Sequence, residues 1–413
     1  MRPNSLISIL SLHFPPESTG NAPYVGSLTE GLRDQNFNVR VLTGQPHYPD
    51  GVFRAGYRRW RRTDEIGGAK VTRLRHFLPR MPTSSMRLLS EVSFGIRLLF
   101  ARWGAADVVV LVSPALFSTA IAMLRAKCSL RKPAVVVWVQ DLYSLGVMET
   151  GAGGIAVQFA MKWVESKTLK SATKVVVIHS RFATYLVDVL GVDPTRVEVI
   201  RNWTHLAAAP EPNIKTARAG HGWSHDETVV LHAGNMGGKQ GLENVVDAAR
   251  LAEEQKLPIR FVLLGNGNQR KALEEYAQGI ERLQFLDSLG DDLFQAALAS
   301  ADILLVNEKP GVSEMSVPSK LTSYFGAGRP VLAATDPHGV TAAEINLALG
   351  GLVIQSGEPQ LLIDACMELR DHPQQASLYA ENGLRYRRDV LGQAAAIDQF
   401  SSLFLELLQK RRV

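Results

Sequence analysis

Val108-Val109-Val110-Leu111-Val112-Ser113-Pro114-Ala115-Leu116-Phe117-Ser118-Thr119-Ala120-Ile121-Ala122-Met123-Leu124 is the longest apolar stretch of the chain and approaches the length that spans a bilayer. Its character changes in the middle. A β-branched run ends at the Ser113-Pro114 breaker and an alanine-rich helical pattern follows, so the stretch reads as strand, turn, helix. A strand with no polar face that feeds straight into a helix is the repeating unit of a parallel sheet covered on both sides.

The same unit recurs outward in both directions. Leu6–Leu10, Asn38–Leu42, Val71–Leu74, Ala134–Val139, Lys174–Ile178 and Val197–Ile200 read as further strands, with helical patterns between most of them. Residues 206–226, with Ala207-Ala208-Ala209-Pro210 and Pro212, break the pattern and read as an interdomain linker. Alternation resumes at Thr228–Ala233 and continues through Ile259–Gly265, Leu283–Leu286, Ile303–Val306, Val331–Ala334 and Leu352–Ile354. Two doubly wound α/β domains follow, at residues 1–205 and 206–389, which suits a chain of 413 residues because one hydrophobic core rarely grows that large. Helical turns fill the carboxyl terminus, the last of them (Ala394–Lys410) carrying an apolar stripe.

Apolar residues make up 46% and charged residues 21%, which excludes a disordered or fibrous chain. Cys128 and Cys366 are too far apart to form a disulfide framework or a metal knuckle, so a reducing, cytoplasmic compartment is expected. The opening residues lack a signal-peptide cleavage site and read as a strand. Charge is uneven: residues 1–205 hold 26 Lys and Arg against 14 Asp and Glu, and residues 206–413 hold 19 against 26. The basic half is expected to face something anionic.

Several motifs narrow the chemistry. Gly265-Asn266-Gly267 has two glycines of a dinucleotide fingerprint, but Arg270 stands at the third position, so a nicotinamide or flavin enzyme is disfavoured. Ala233-Gly234-Asn235-Met236-Gly237-Gly238-Lys239-Gln240 approaches a P-loop yet has Ala233 for the first glycine and Gln240 for the magnesium-binding hydroxyl. The phosphate-holding physics survives, with backbone N–H groups, a lysine and a helix beginning at about Gly241. Val317-Pro318-Ser319-Lys320, also opening a helix, is a second anion-binding candidate. Phe14-Pro15-Pro16-Glu17-Ser18-Thr19-Gly20-Asn21 connects the first strand to the first helix, where open α/β sheets bind ligands, and Gly20 permits close approach. Asp141, beyond the strand Val135–Val139, is either a group acting on an acceptor hydroxyl or a helix cap.

H-E-x-x-H, C-x-x-C, G-x-S-x-G and D-x-D are all absent, and His221 with His225 reads as a surface pair. Arg54–Trp103 interleaves ten arginines, from Arg58 to Arg102, with Tyr57, Trp60, Phe77, Phe94, Phe100 and Trp103. Within it Met86–Trp103 reads as an amphipathic helix suited to an anionic membrane or a lipid-diphosphate acceptor. Single-stranded nucleic acid is a further candidate for such a patch, and an ordinary solvated face is the plain alternative.

Taken in order, His13-Phe14-Pro15-Pro16-Glu17 with Gly20, Gln45-Pro46-His47-Tyr48-Pro49, Gln140-Asp141, Asn202-Trp203, Gly234-Asn235-Met236-Gly237 with Lys239-Gln240-Gly241, and Pro318-Ser319-Lys320 through Gly328-Arg329-Pro330-Val331 resemble family 4 retaining glycosyltransferases of the GT-B fold. Within that family they are similar to the subgroup that includes colanic acid biosynthesis glycosyltransferases. The resemblance implies an acceptor-binding first domain, a donor-binding second domain, a cleft between them, and a terminal helix at residues 390–413 that returns to the first. It also implies retaining transfer from a nucleoside-diphosphate sugar to a glycan or polyprenyl-diphosphate-linked acceptor, with no metal or other cofactor required. Location in the cytoplasm follows, with peripheral attachment to the inner face of the membrane as an option; nucleic acid is not implied.

On this resemblance Lys239, Lys320 and Asp141 become the catalytic candidates, and Gly20, Gly234, Asn235, Gly237, Asn266, Glu314, Ser319 and Ser323 the donor-binding ones. Asn235 stands near the position of the family's diphosphate-binding arginine, which leaves the charge to Lys239 and Lys320. Alignment on Gly328-Arg329-Pro330 puts Met315 and Ser323 at the two carboxylates of the family's E-x7-E pair, with Glu314 one residue out of register. A sugar-nucleotide epimerase of similar build, a donor-binding paralogue of little activity and a nucleic-acid-binding protein are the alternatives.

Overall fold

The computed structural model describes residues 5–17, 20–47, 51–79, 84–145, 154–203, 213–311 and 320–411. The chain divides into two units, Met1–His205 with Gln393–Val413, and Leu206–Gly392.

In the first unit the strands are β1 (Leu6–Ser11), β2 (Asn38–Gly44), β3 (Arg61–Ile66), β4 (Ala69–Leu74), β5 (Val108–Ser113), β6 (Ala134–Val139), β7 (Lys174–Val177) and β8 (Val197–Val199). Its helices are α1 (Ala22–Asp34), α2 (Ser84–Phe100), α3 (Leu116–Cys128), α4 (Gly154–Lys170) and α5 (Ser180–Asp188). The sheet order is β3-β4-β2-β1-β5-β6-β7-β8, parallel except for β3. Every residue of β5 is buried, as its apolar run requires. Chain order reverses between β1 and β5, the place where an open sheet parts its loops.

The second unit contains β9 (Thr228–Ala233), β10 (Ile259–Leu264), β11 (Leu283–Leu286), β12 (Ile303–Asn307), β13 (Val331–Thr335) and β14 (Gly351–Gln355). Its helices are α6 (Ile214–His221), α7 (Glu243–Glu254), α8 (Arg270–Tyr276), α9 (Asp291–Ser300), α10 (Lys320–Gly326), α11 (Val340–Ala348), α12 (Pro359–Asp371) and α13 (Pro373–Asp389). The all-parallel order β11-β10-β9-β12-β13-β14 places its reversal between β9 and β12. The last helix, α14 (Gln393–Lys410), belongs to the first unit: Ile397, Phe400, Leu403, Phe404 and Leu407 enter a core with Trp138 and Trp203. Phe400 meets Trp138 edge-on at 5.0 Å, and Gln35 Nε2 donates to Asp398 at 2.6 Å.

Two sequence expectations are corrected here. The second half of the expected linker is structured. Asn213 caps α6 by accepting from the Thr216 N–H, Trp223 is buried, and Arg218 is held by the carbonyls of Ser300, Ser224 and Glu227 and by Asp302. A buried guanidinium with this many acceptors fixes the segment to the second unit. The stretch Arg54–Trp103 is likewise not one continuous surface. It contains the hairpin β3–β4, closed by Gly67 and Gly68 with φ of 55° and 69°, the left-handed pair that a two-residue hairpin turn demands. Arg73 in that hairpin is fully buried against Asp64 at 3.0 Å and the Pro15 carbonyl, so it is internal scaffolding.

Candidate functional site

The loop that follows β9, residues 234–242, is shaped chiefly by backbone contacts to its neighbours. Gly234 N–H donates to the Leu264 carbonyl, Met236 N–H to Asn266, and Gln269 N–H back to Met236, each at 2.9 Å. These bonds zip the loop to the one that follows β10. A Cβ at Gly265 would stand 2.1 Å from the Gly234 carbonyl oxygen, and one at Gly267 would stand 2.4 Å from that of Met236. The two glycines that read as a broken dinucleotide fingerprint are thus explained by one loop's backbone lying on the other's.

From the other side Asn307, at the end of β12, donates through Nδ2 to the carbonyls of Gln240 (2.7 Å) and Gly241 (2.9 Å) and accepts from Asn244 Nδ2 at 2.8 Å. Lys309 N–H donates to the Lys239 carbonyl at 2.8 Å. The glycine-rich loop is therefore pinned across the sheet's reversal point, and Lys239 projects from its exposed crest. Helix α7 starts at Glu243, two residues later than the sequence suggested.

The Gly237 N–H, expected to meet phosphate, donates instead to Gln240 Oε1 at 3.0 Å. That donor is already satisfied within the loop, and any anion using it has to displace the amide oxygen.

Lys320 opens α10 and reaches under this loop. Its Nζ lies 3.2 Å from Nε2 of His232, which is fully buried in β9, and 3.7 Å from a Cβ placed at Gly234. Two lysine-bearing segments are thereby joined through the Gly234 loop. Burial lowers the Lys320 ammonium to about 8, partly opposed by the Glu308 carboxylate. His232 is held well below the ordinary imidazole range by burial and by that ammonium, so it is a neutral acceptor for Lys320. One turn on, the buried Tyr324 hydroxyl accepts from the Ala233 N–H at 2.8 Å and ties α10 to the end of β9.

Of the other candidates, Asn235 and Asn266 are exposed on the two zipped loops and Ser323 is half-buried on α10. Glu314 and Ser319, with Met315 and Pro318, lie outside the described residues. Gly20 and Asp141 belong to the first unit. Gly20 has φ of 66°, and Asp141 Oδ1 accepts from the adjacent Leu142 N–H at 2.9 Å, while the first N–H groups of the helical turn that follows, Tyr143 and Ser144, donate to Glu165. Sequence reasoning missed His232, Tyr324, Asn307 and Glu308. Each is a polar residue in or beside an apolar run, a signal that marks a buried polar partner without identifying it.

Residues 19–203 match the family described as glycosyl transferase 4-like domain, and residues 227–372 match glycosyl transferases group 1. The chain is 31% identical over 338 residues to WcaI of Escherichia coli (strain K12), which carries the name of a colanic acid biosynthesis glycosyl transferase; the match spans 78% of this chain and 81% of that one. Among solved structures it is similar to sucrose-phosphate synthase from Thermosynechococcus elongatus, at a TM-score of 0.73 and 18% identity, covering 98% of this chain and all of that one. It is also similar to Anabaena HepE in complex with UDP-glucose, at a TM-score of 0.70 and 16% identity with the same coverage.

Proposed function

This chain belongs to the group 1 glycosyltransferases with a glycosyl transferase 4-like amino-terminal domain, and from that premise we propose that it transfers a sugar, with retention, from a nucleoside-diphosphate sugar held by its second unit. The observation that carries the donor assignment is the reach of Lys320 Nζ under the Gly234 loop. Cleavage of the donor leaves negative charge on the nucleoside diphosphate while the sugar becomes oxocarbenium-like, so fixed positive charge at the diphosphate lowers the barrier. Lys320 and Lys239 supply it, joined by loop N–H groups once Gln240 gives way. Two lysines and backbone donors suffice for a diphosphate, so no metal is required in this reading. The leaving phosphate takes the acceptor's proton, and Asp141 is assigned to the acceptor hydroxyl.

Thermal unfolding in the presence of EDTA and a panel of UDP-, GDP- and dTDP-sugars tests the donor assignment. A ligand at 100 times its Kd stabilises by about 2.7 kcal/mol, which raises Tm by several degrees for domains of this size. At least one nucleotide sugar is expected to do so, and the shift should vanish in Lys320→Ala. No shift with any of them sinks the reading; NMR of the product's anomeric configuration tests retention.

The acceptor is proposed to be a glycan or a polyprenyl-diphosphate-linked glycan in surface polysaccharide synthesis, by analogy with WcaI, whose name assigns it to colanic acid. No helix among the described residues is long and apolar enough to cross a membrane. A peripheral contact is proposed instead at α2, where Met86, Leu89, Ile96 and Phe100 are exposed along one face while Phe94 and Leu98 are buried. Exposed Trp60 lies beside it under Arg97, whose guanidinium is 3.8 Å from the indole ring. Apolar side chains rimmed by arginine suit an anionic bilayer. Sedimentation with phosphatidylglycerol vesicles is expected at low salt and should weaken at least tenfold in Ile96→Asp/Phe100→Asp; equal binding by that variant would remove α2 from the interface.

A further inference from the structure

A group of imidazoles and a carboxylate stands at the carboxyl ends of β1 and β2, in the unit that does not hold the two lysines. His13 and Glu17 lie in the connection from β1 to α1, and His47 follows β2. His13 Nδ1 is hydrogen-bonded to Glu17 Oε2 at 2.8 Å, a contact an ion would replace, and the His47 ring stands beside the same carboxylate, its Nδ1 3.6 Å from Glu17 Oε1. One ligand atom from each of the three lies within 4.8 Å of the others. We propose that His13, Glu17 and His47 form a binding site for a divalent cation of the zinc class.

The donor set points to that class. Two imidazoles with one carboxylate select a borderline transition-metal cation, whereas magnesium and calcium require mostly oxygen. Ligand atoms around one tetrahedral ion, at bonds of about 2.0–2.1 Å, sit about 3.3–3.4 Å apart, so the widest separation here has to close by up to about 1.5 Å. The surroundings already orient them. His47 Nδ1 lies 2.9 Å from the Gln45 carbonyl. A carbonyl only accepts, so the proton is on Nδ1 and Nε2 carries the lone pair, the arrangement that an outer partner imposes on a metal-binding histidine. Glu17 is buried and is fixed by the His47 N–H at 2.8 Å, so its carboxylate is placed before any ion arrives.

A second, independent feature lies behind His47. The ring of His76 is 4.9 Å from that of His47, His76 is only 5% exposed, and neither of its nitrogens makes a well-formed hydrogen bond, the Leu74 backbone being a weak partner. Phe53 and Phe94 stand against it at 5.9 Å and 5.7 Å between ring centroids, which keeps bulk water away. A buried imidazole without a well-formed hydrogen bond is costly. Three protein ligands leave at least one position on the cation for water, and a metal-held water is the kind of partner His76 lacks.

The site is independent of the donor assignment, and its test does not use turnover. Full-length protein stripped with EDTA is titrated with Co2+, followed by calorimetry and by the visible absorption of the bound ion, and Zn2+ is then added in competition. One saturable equivalent at micromolar Co2+, displaced by Zn2+ and indifferent to millimolar Mg2+, is the expected result. His13→Ala and Glu17→Gln should each bind at least tenfold more weakly with an unchanged circular dichroism spectrum. The glutamine keeps an acceptor for the His47 N–H while losing the ligand charge, and His13 is partly exposed, so both variants are expected to fold. Wild-type protein that takes up no stoichiometric ion overturns the proposal, as does undiminished binding by both variants.

Discussion

Lys320→Ala is expected to lower kcat/KM for the sugar donor by about 10²–10³, or about 2.7–4 kcal/mol of transition-state stabilisation, which is the usual cost of removing one fixed donor from a developing oxyanion. The effect should leave folding intact. In the unliganded protein Lys320 has its ammonium buried against neutral His232, an arrangement that costs desolvation rather than contributing stability. The group's pH dependence supplies a second readout. With the ammonium lowered to about 8, the charge is present below that pH and is lost as pH rises through it. Donor kcat/KM, which reports the free enzyme, should therefore fall on an alkaline limb near 8 that is missing from Lys320→Ala. A near-wild-type rate in the variant, or an alkaline limb that survives it, refutes the role given to this lysine.

Why this lysine was legible and its partners were not follows from the kind of signal each leaves. Strands such as Val108–Ser113, Ala134–Val139 and Thr228–Ala233 declare themselves because a parallel strand covered on both faces has no polar side to interrupt the run. Strand β3, Arg-Arg-Thr-Asp-Glu-Ile, is a sheet edge with alternating exposure and almost no apolar residue, so only the Gly67-Gly68 turn marks it. Helix α6 hides for the opposite reason. Its anchor is Arg218, and a buried arginine is recognisable only after its acceptors at Ser300, Asp302, Ser224 and Glu227 have been gathered.

The candidate site divides in the same way. Lys239 and Lys320 stand in turns with recognisable glycine and proline punctuation. His232, Asn307 and Tyr324 matter because β9 lies next to β12 and α10 folds back over both, and strand order is a tertiary fact that one-dimensional spacing does not contain. Gln240 was read for the hydroxyl it lacks, and its actual contact with the Gly237 N–H depends on how the loop closes.

Gly265→Ala should separate architecture from chemistry at the same place. Gly265 has φ of 132°, a region that essentially only glycine occupies, which alone costs a substituted residue about 1–3 kcal/mol. The added methyl would also start 2.1 Å from the Gly234 carbonyl oxygen. That atom is backbone in a loop zipped on both sides, so no rotamer change relieves the overlap, and the strands after which the loops emerge have to part. A total loss of about 3–5 kcal/mol is expected, at the upper end of single substitutions. It should appear as a lowered Tm together with a lost response to nucleotide sugars, because the Gly234 loop that moves is the one Lys320 reaches. Lys320→Ala, by contrast, should lose that response at an unchanged Tm. A Gly265→Ala protein that melts like the wild type would show that the two loops are not locked together, and the preorganised diphosphate site would fall with them.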